Sequence, residues 1–187
     1  MSTITHLTTA ELEAGLDSVR QSPKDGGRLE MIVRRPRVDA REVLEEGELD
    51  LEMGLVGDTW LERGSSRTAD GSAHPDMQLN VINARLLDMV AQDRVRWQLA
   101  GDQLVVDFDL SEENIPPGTQ LAIGSAVIEV TAQPHTGCQK FVARFGKDAM
   151  LFVNSPVGKQ LHLRGINARV VQPGTIRRGD EVRKVGV

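Results

Sequence analysis

Tyrosine is missing from this 187-residue chain, aromatic residues make up only 3% of it, and cysteine occurs once. So few aromatics remove the stacking platform that single-strand nucleic-acid readers need. A formal charge of −5 likewise argues against a general nucleic-acid partner. One cysteine excludes an intramolecular disulfide framework. No leader with a charged, an apolar and a cleavage region opens the sequence, and no long apolar run follows, so the expectation is a reducing cytoplasm and no membrane. Also absent are a P-loop, a Gly-rich dinucleotide fingerprint, a His-Glu-x-x-His pair and any Cys-x-x-Cys, which disfavours nucleotide enzymes and structural zinc modules. His135 and Cys138 have a metal-compatible spacing, but no third zinc ligand accompanies them.

What is present is ordinary for a globular protein: 40% hydrophobic and 26% charged residues, enough chain for one domain with its own core. The charge is unevenly spread. Asp39 to Glu62 is rich in acids, whereas after His135 come ten basic residues (Lys140, Arg144, Lys147, Lys159, Arg164, Arg169, Arg177, Arg178, Arg183 and Lys184) against Asp148, Asp180 and Glu181. That half can meet an anionic ligand, although most such charges in proteins are simply solvated faces.

Thr8 and Glu11 form a capping-box pattern ahead of Leu12, Leu16 and Val19, which predicts a helix over Thr8 to Arg20. Leu29 to Val33 reads as a strand ended by Pro36, Val38 to Met53 as loop with one helical turn, and Arg63 to Pro75 as a flexible surface loop. Met77 to Asn83 suits a strand and Ala84 to Gln92 a helix; Leu104 to Phe108 alternates as a half-buried strand should. The clearest hairpin pairs Leu121 and Ile123 with Ala126, Ile128 and Val130 around Gly124-Ser125. Phe141, Val142 and Phe145 share a helical face ended by Gly146, and Asp148 can cap a second helix that runs to Pro156. Leu161 and Leu163, then Ile166, Ala168 and Val170, read as two strands, with turns at Pro173-Gly174 and Arg177 to Asp180 before a last strand through Val182. Many short strands with few helices predict a mainly β fold of the α+β kind, a barrel or rolled sheet decorated by short helices.

The lone Cys138 sits in Pro134-His135-Thr136-Gly137-Cys138-Gln139-Lys140-Phe141, where the second strand of the hairpin is expected to end and a helix to begin. Free cysteine is more often a small buried hydrophobe than a working atom. Here the preceding glycine and polar neighbours favour a surface position. The helix dipole, Lys140 and His135 would favour its thiolate form. Such a sulfur can attack, carry or ligate.

Four segments in order resemble the MOSC domain, named for the C-terminal domain of molybdenum cofactor sulfurase. They are Gly54-Leu-Val-Gly57-Asp58, Gln78-Leu-Asn80-Val-Ile-Asn83, the cysteine preceded by Pro134 and followed by Lys140-Phe141, and the ending Gly165-Ile-Asn-Ala-Arg169 through Gly179-Asp180. The resemblance covers about residues 50 to 185. It implies a barrel over 50–187, with 1–49 an N-terminal helix and strand extension packed on it. It further implies that Cys138 either ligates molybdenum in a bound molybdopterin cofactor or carries a persulfide. In the first case the protein reduces N-hydroxylated or similar small substrates; in the second it delivers sulfur to metal–sulfur centres. His135 and Lys140 would modulate the sulfur, and Asp58, Asn83, Arg144, Arg164, Asn167 and Arg169 would serve the cofactor. The sequence departs from the Pro-Arg-x-Pro-Cys pattern of larger members by placing His135 and Gly137 in it. It contains neither the additional N-terminal barrel of the amidoxime-reducing type nor the pyridoxal-phosphate desulfurase of the sulfurase type. Electrons or sulfur are therefore expected from a partner, an external electron donor or a cysteine desulfurase. A non-enzymatic small-ligand barrel with an inert thiol is the remaining alternative.

Overall fold

The computed structural model describes residues 4–186. Its strands are β1 (Gly27–Arg34), β2 (Glu42–Leu44), β3 (Glu46–Asp50), β4 (Gly54–Leu55), β5 (Leu79–Asn83), β6 (Leu104–Asp107), β7 (Gln120–Ile123), β8 (Ala126–Val130), β9 (Ile166–Gln172), β10 (Gly174–Arg177) and β11 (Glu181–Lys184). The helices are α1 (Thr9–Ala14), α2 (Leu16–Arg20), α3 (Trp60–Arg63), α4 (Ala84–Ala91), α5 (Gln139–Phe145), α6 (Lys147–Val153) and α7 (Pro156–Gln160). Seven strands close into a barrel in the order β11-β7-β8-β9-β5-β6-β1, with β1 returning to β11 and β2 added on the free edge of β1. Closure leaves no barrel edge open to another chain. A second sheet, β10-β3-β4, contributes Leu49, Leu55 and Ile176 to the barrel core.

Alternating residues feed two cores. Leu29, Ile32, Leu79, Val81, Leu104 and Val106 fill the barrel, whereas Met31, Val33, Ile82 and Val105 join an outer core with Leu12, Leu86, Phe141, Phe145 and Phe152 from the helices. This corrects the half-buried reading of Leu104 to Phe108: Leu104, Val105, Val106 and Phe108 are all buried, because helices cover the outward face. The strand expected within an N-terminal extension, β1, is itself a stave of the barrel, paired with β6 and β11.

Both halves of the Thr8–Glu11 capping box form, but the predicted helix breaks at Gly15 into α1 and α2. The acidic stretch expected as loop contains β2 and β3. There Gly47 and Leu49 are buried while Glu46 and Glu48 are exposed, so pairing with β1 and β10 overrides a composition poor for strands. Leu161, the C-cap of α7, and Leu163 lie in the turn after that helix rather than in a strand. Helix α6 is capped by Gly146, and Asp148, one residue into its first turn, accepts a hydrogen bond from the Thr9 backbone N–H at 2.9 Å. No helix among the described residues is long and apolar enough to cross a membrane.

Candidate functional site

Seven residues of irregular chain, 131–137, carry the polypeptide from β8 to α5, and two asparagine side chains hold this strap. Asn167, fully buried on β9, donates to the Gln133 and Pro134 carbonyls at 3.1 and 3.3 Å and accepts from Asn80 Nδ2 at 2.7 Å. At the other end Asn154 accepts from the Gly137 N–H at 2.9 Å and donates to its carbonyl at 3.3 Å. A Cβ on Gly137 would lie 3.1 to 3.3 Å from Val153, Met150 and Asn154, tighter than ordinary contact. Two separate elements thus place Cys138, which is exposed and forms the N-cap of α5 without a side-chain capping bond.

The thiol lines a cleft of about 220 Å³ whose charged side chains are almost all cationic. Arg35, Arg37, Arg41, Arg63, Arg144, Arg164 and Lys140 face it together with His135, and Asp39 is the one acid. Arg35 is buried and grips Asp58 through Nε and one terminal nitrogen, both at 2.8 Å, while its backbone N–H donates to the same carboxylate at 2.9 Å. Burial pushes the Asp58 carboxyl up, but the hydrogen bonds and charge of Arg35 outweigh it and hold the group below its usual value. The preceding Gly57 has φ +83°, and a Cβ there would strike the Arg34 guanidinium at 2.8 Å, so that position of the motif requires glycine.

Under the strap a second buried pair forms. Arg164 donates to both oxygens of Asp102, at 3.0 and 2.8 Å, lies 5.0 Å from the centre of the Phe141 ring, and leaves its Nε buried with no partner. Burial raises the Asp102 carboxyl above its usual value against the opposing pull of Arg164. His135 Nδ1 lies 3.5 Å from Asp102 Oδ1. Burial first, then the charges of Arg164, Arg35 and Arg67, pushes its imidazole well below 6.5, so the ring is neutral. Arg41 is lowered by burial and by Arg144 and Arg35; its Nε is a buried donor without an acceptor. A pocket that crowds guanidinium groups and leaves donors unmet is built for an anion.

His135 makes a pH signature. The unfolded imidazole titrates near 6.5 and the folded one well below, so between those values only the unfolded chain takes up the proton. This contribution to stability is complete above 6.5 and is lost as pH falls. Urea unfolding should show stability falling by up to about 1.4 kcal/mol per pH unit in that window. His135→Gln should flatten the slope, and an unchanged slope would assign it elsewhere. Asp58 acts in the same direction only below its ordinary 3.8, and Asp102, being raised, acts in the opposite one.

Of the residues singled out from sequence, Cys138, His135, Lys140, Arg144 and Arg164 line the cleft; Asp58 and Asn167 act behind it, on Arg35 and the strap. Asn83 does not belong there. It is the buried N-cap of α4, accepting from Arg85 and Leu86 and donating to Ser22 Oγ and the Phe108 carbonyl, all structural contacts. Arg169 lies outside as well, paired on the barrel surface with Glu129 at 2.7 Å and Asp76 at 3.4 Å. Sequence reasoning passed over Arg35, Arg37, Arg41 and Arg63, because the basic count began after His135; the run Arg34-Arg35-Pro36-Arg37 was the available signal. Asp102 and Asn154 gave no such signal.

The sequence model of the MOSC domain matches residues 68–183, and the chain belongs to this family. The family is associated with the molybdenum cofactor. Solved structures with the same fold include the YUAD protein from Bacillus subtilis, 16% identical over 83% of this chain and 93% of that one, with a TM-score of 0.63. YiiM from Escherichia coli is 23% identical over 86% of this chain and 70% of its own, with a TM-score of 0.53. YiiM from Geobacillus stearothermophilus is 15% identical over 85% and 75%, at 0.52. No curated protein sequence matches the chain.

Proposed function

We propose that this protein binds a molybdenum–molybdopterin cofactor in the Cys138 cleft, with the Cys138 thiolate as metal ligand, and reduces N-hydroxylated or similar small substrates. The observation that carries the reading is the joining of an exposed thiol to an arginine-lined cleft with unmet donors. Among the described residues no cluster of three His, Cys, Asp or Glu side chains could hold a metal by itself. A soft thiolate beside a phosphate cradle suits a metal that arrives within an anionic organic ligand. Arg41, Arg144 and Lys140 would hold the phosphate, while Arg35 and Arg164, fixed by Asp58 and Asp102, set the shape of the floor. The cofactor supplies two-electron chemistry, fed by an external electron donor. The chain supplies the sulfur, the charge and a strap rigid enough to keep both in register. Neutral His135, 3.5 Å from Asp102, would add hydrogen-bonding capacity without charge at the same wall.

The exposure of Cys138 favours a second reading, in which the thiol takes sulfur from a cysteine desulfurase and delivers it to a metal–sulfur centre. Native mass spectrometry of protein made in a molybdopterin-producing host separates the two: a molybdenum–pterin mass supports the first, added sulfur alone the second. Arg41→Gln tests the cradle. Arg41 makes one hydrogen bond, to the Ala40 carbonyl, and stands beside two other arginines. Its loss should weaken cofactor retention by about tenfold or more while the urea midpoint stays level or rises. A matching fall in stability would make Arg41 structural.

A further inference from the structure

Strap residues 131–136 also line a second, larger cleft of about 400 Å³, within the ordinary size of small-molecule sites. It shares only His135 and Arg164 with the cysteine cleft. Val130, Val153 and Ile166 give it an apolar floor. Two cationic side chains line it. Arg164 Nε is buried without a partner, on a residue only 7% exposed, and Lys159 forms no ion pair among the described residues. The lining also includes His162, a non-glycine residue in the left-handed region at φ 48°. Such a conformation is costly and persists only where the surroundings hold it. Here His162 Nδ1 lies 2.7 Å from the Leu110 carbonyl, which can only accept, so Nδ1 is the donor of that bond. The exposed Glu112 adds one negative charge to the lining, opposite in sign to Lys159 and Arg164.

We infer that this cleft is a binding site for a small organic acid, with an apolar body on Val130, Val153 and Ile166 and a carboxylate directed to Lys159 and Arg164. The inference does not depend on the molybdenum reading, because the two clefts have only His135 and Arg164 in common and differ in the rest of their lining. The cysteine cleft gathers seven cationic side chains, whereas this one carries only Lys159 and Arg164. It combines the apolar side chains of Val130, Val153 and Ile166 with one buried donor lacking a partner, Arg164 Nε, and one exposed ammonium, Lys159, a combination that suits an organic acid rather than a bare phosphate.

Sodium benzoate is the probe, titrated into isotope-labelled full-length protein and followed by amide chemical shifts. Binding with a Kd on the order of millimolar is expected, with shifts in residues 131–136 and 159–165. Lys159→Glu, at an exposed position, should weaken benzoate by about tenfold without moving the urea midpoint, and benzyl alcohol should bind wild type about tenfold more weakly than benzoate. Thr136→Trp, which fills the cleft from the exposed strap, should abolish the shifts. Shifts confined to Arg41, Lys140 and Arg144 would place benzoate in the cysteine cleft and overturn the inference. So would equal affinity in Lys159→Glu, equal affinity for the alcohol, or no binding up to about 20 mM.

Discussion

Asp102→Ala should destabilise the protein by about 3–5 kcal/mol, read as a lower urea midpoint with an unchanged denaturant slope. The reason is the partner left behind. Arg164 is 7% exposed, both of its bonds to the carboxylate come from one terminal nitrogen, and without Asp102 it retains only the Ala100 carbonyl at 3.3 Å. A guanidinium that is buried and unpaired must either draw water into the core or drag the chain outward. Asp102→Asn, which keeps an acceptor and loses the charge, should fall between the two. The companion measurement is the double variant Asp102→Leu with Arg164→Met. Removing both charges removes the desolvation cost with the attraction, so much of the lost stability should return. If the double variant is as unstable as the single one, the pair is stabilising in its own right and the account above is wrong.

Cys138→Ala should have the opposite profile: complete loss of cofactor retention in the native mass spectrum, with stability unchanged within about 0.5 kcal/mol. The side chain is exposed and makes no capping bond, so nothing in the fold depends on the sulfur. Cys138→Ser sharpens the point. Its hydroxyl can cap α5 where the thiol does not, and serine N-caps are commonly worth about 1 kcal/mol. The serine variant should therefore be slightly more stable than wild type and equally empty. An adduct that survives either substitution would remove Cys138 from the site, and a large loss of stability would make it a structural residue.

Much of the barrel was legible from local pattern. The 121–130 hairpin and the Thr8 capping box arise from interactions between residues close in sequence, and the strand that ends at Asn83 and the helix after it show in residue type alone; all are present. The failures have different causes. β3 is an acidic segment held as a strand by a partner far along the chain, with Gly174 opposite Leu49, whereas β2 is three residues paired with nearby β1, Glu42 opposite Arg34, in a stretch whose composition is poor for strands. Asn83 sits in a motif segment and is spent on a helix cap, and Arg169 points at Glu129 rather than at the cleft. A residue type within a motif does not say which face of its strand looks inward.

By itself the sequence determined that the chain would be a mainly β barrel with short helices and that its one thiol would stand where a helix begins. Period, turn chemistry and capping act over a few residues, and those features need nothing more. Tertiary structure alone decided that Arg35, Arg41 and Arg63, from the first third of the chain, would meet Lys140, Arg144 and Arg164, from the last, around Cys138. It also decided that Asn167 and Asn154 would fasten the strap from two different elements. Charge convergence of that kind depends on which strands become neighbours when the barrel closes, through pairings such as β1 with β6 and β5 with β9, and local sequence carries no record of them.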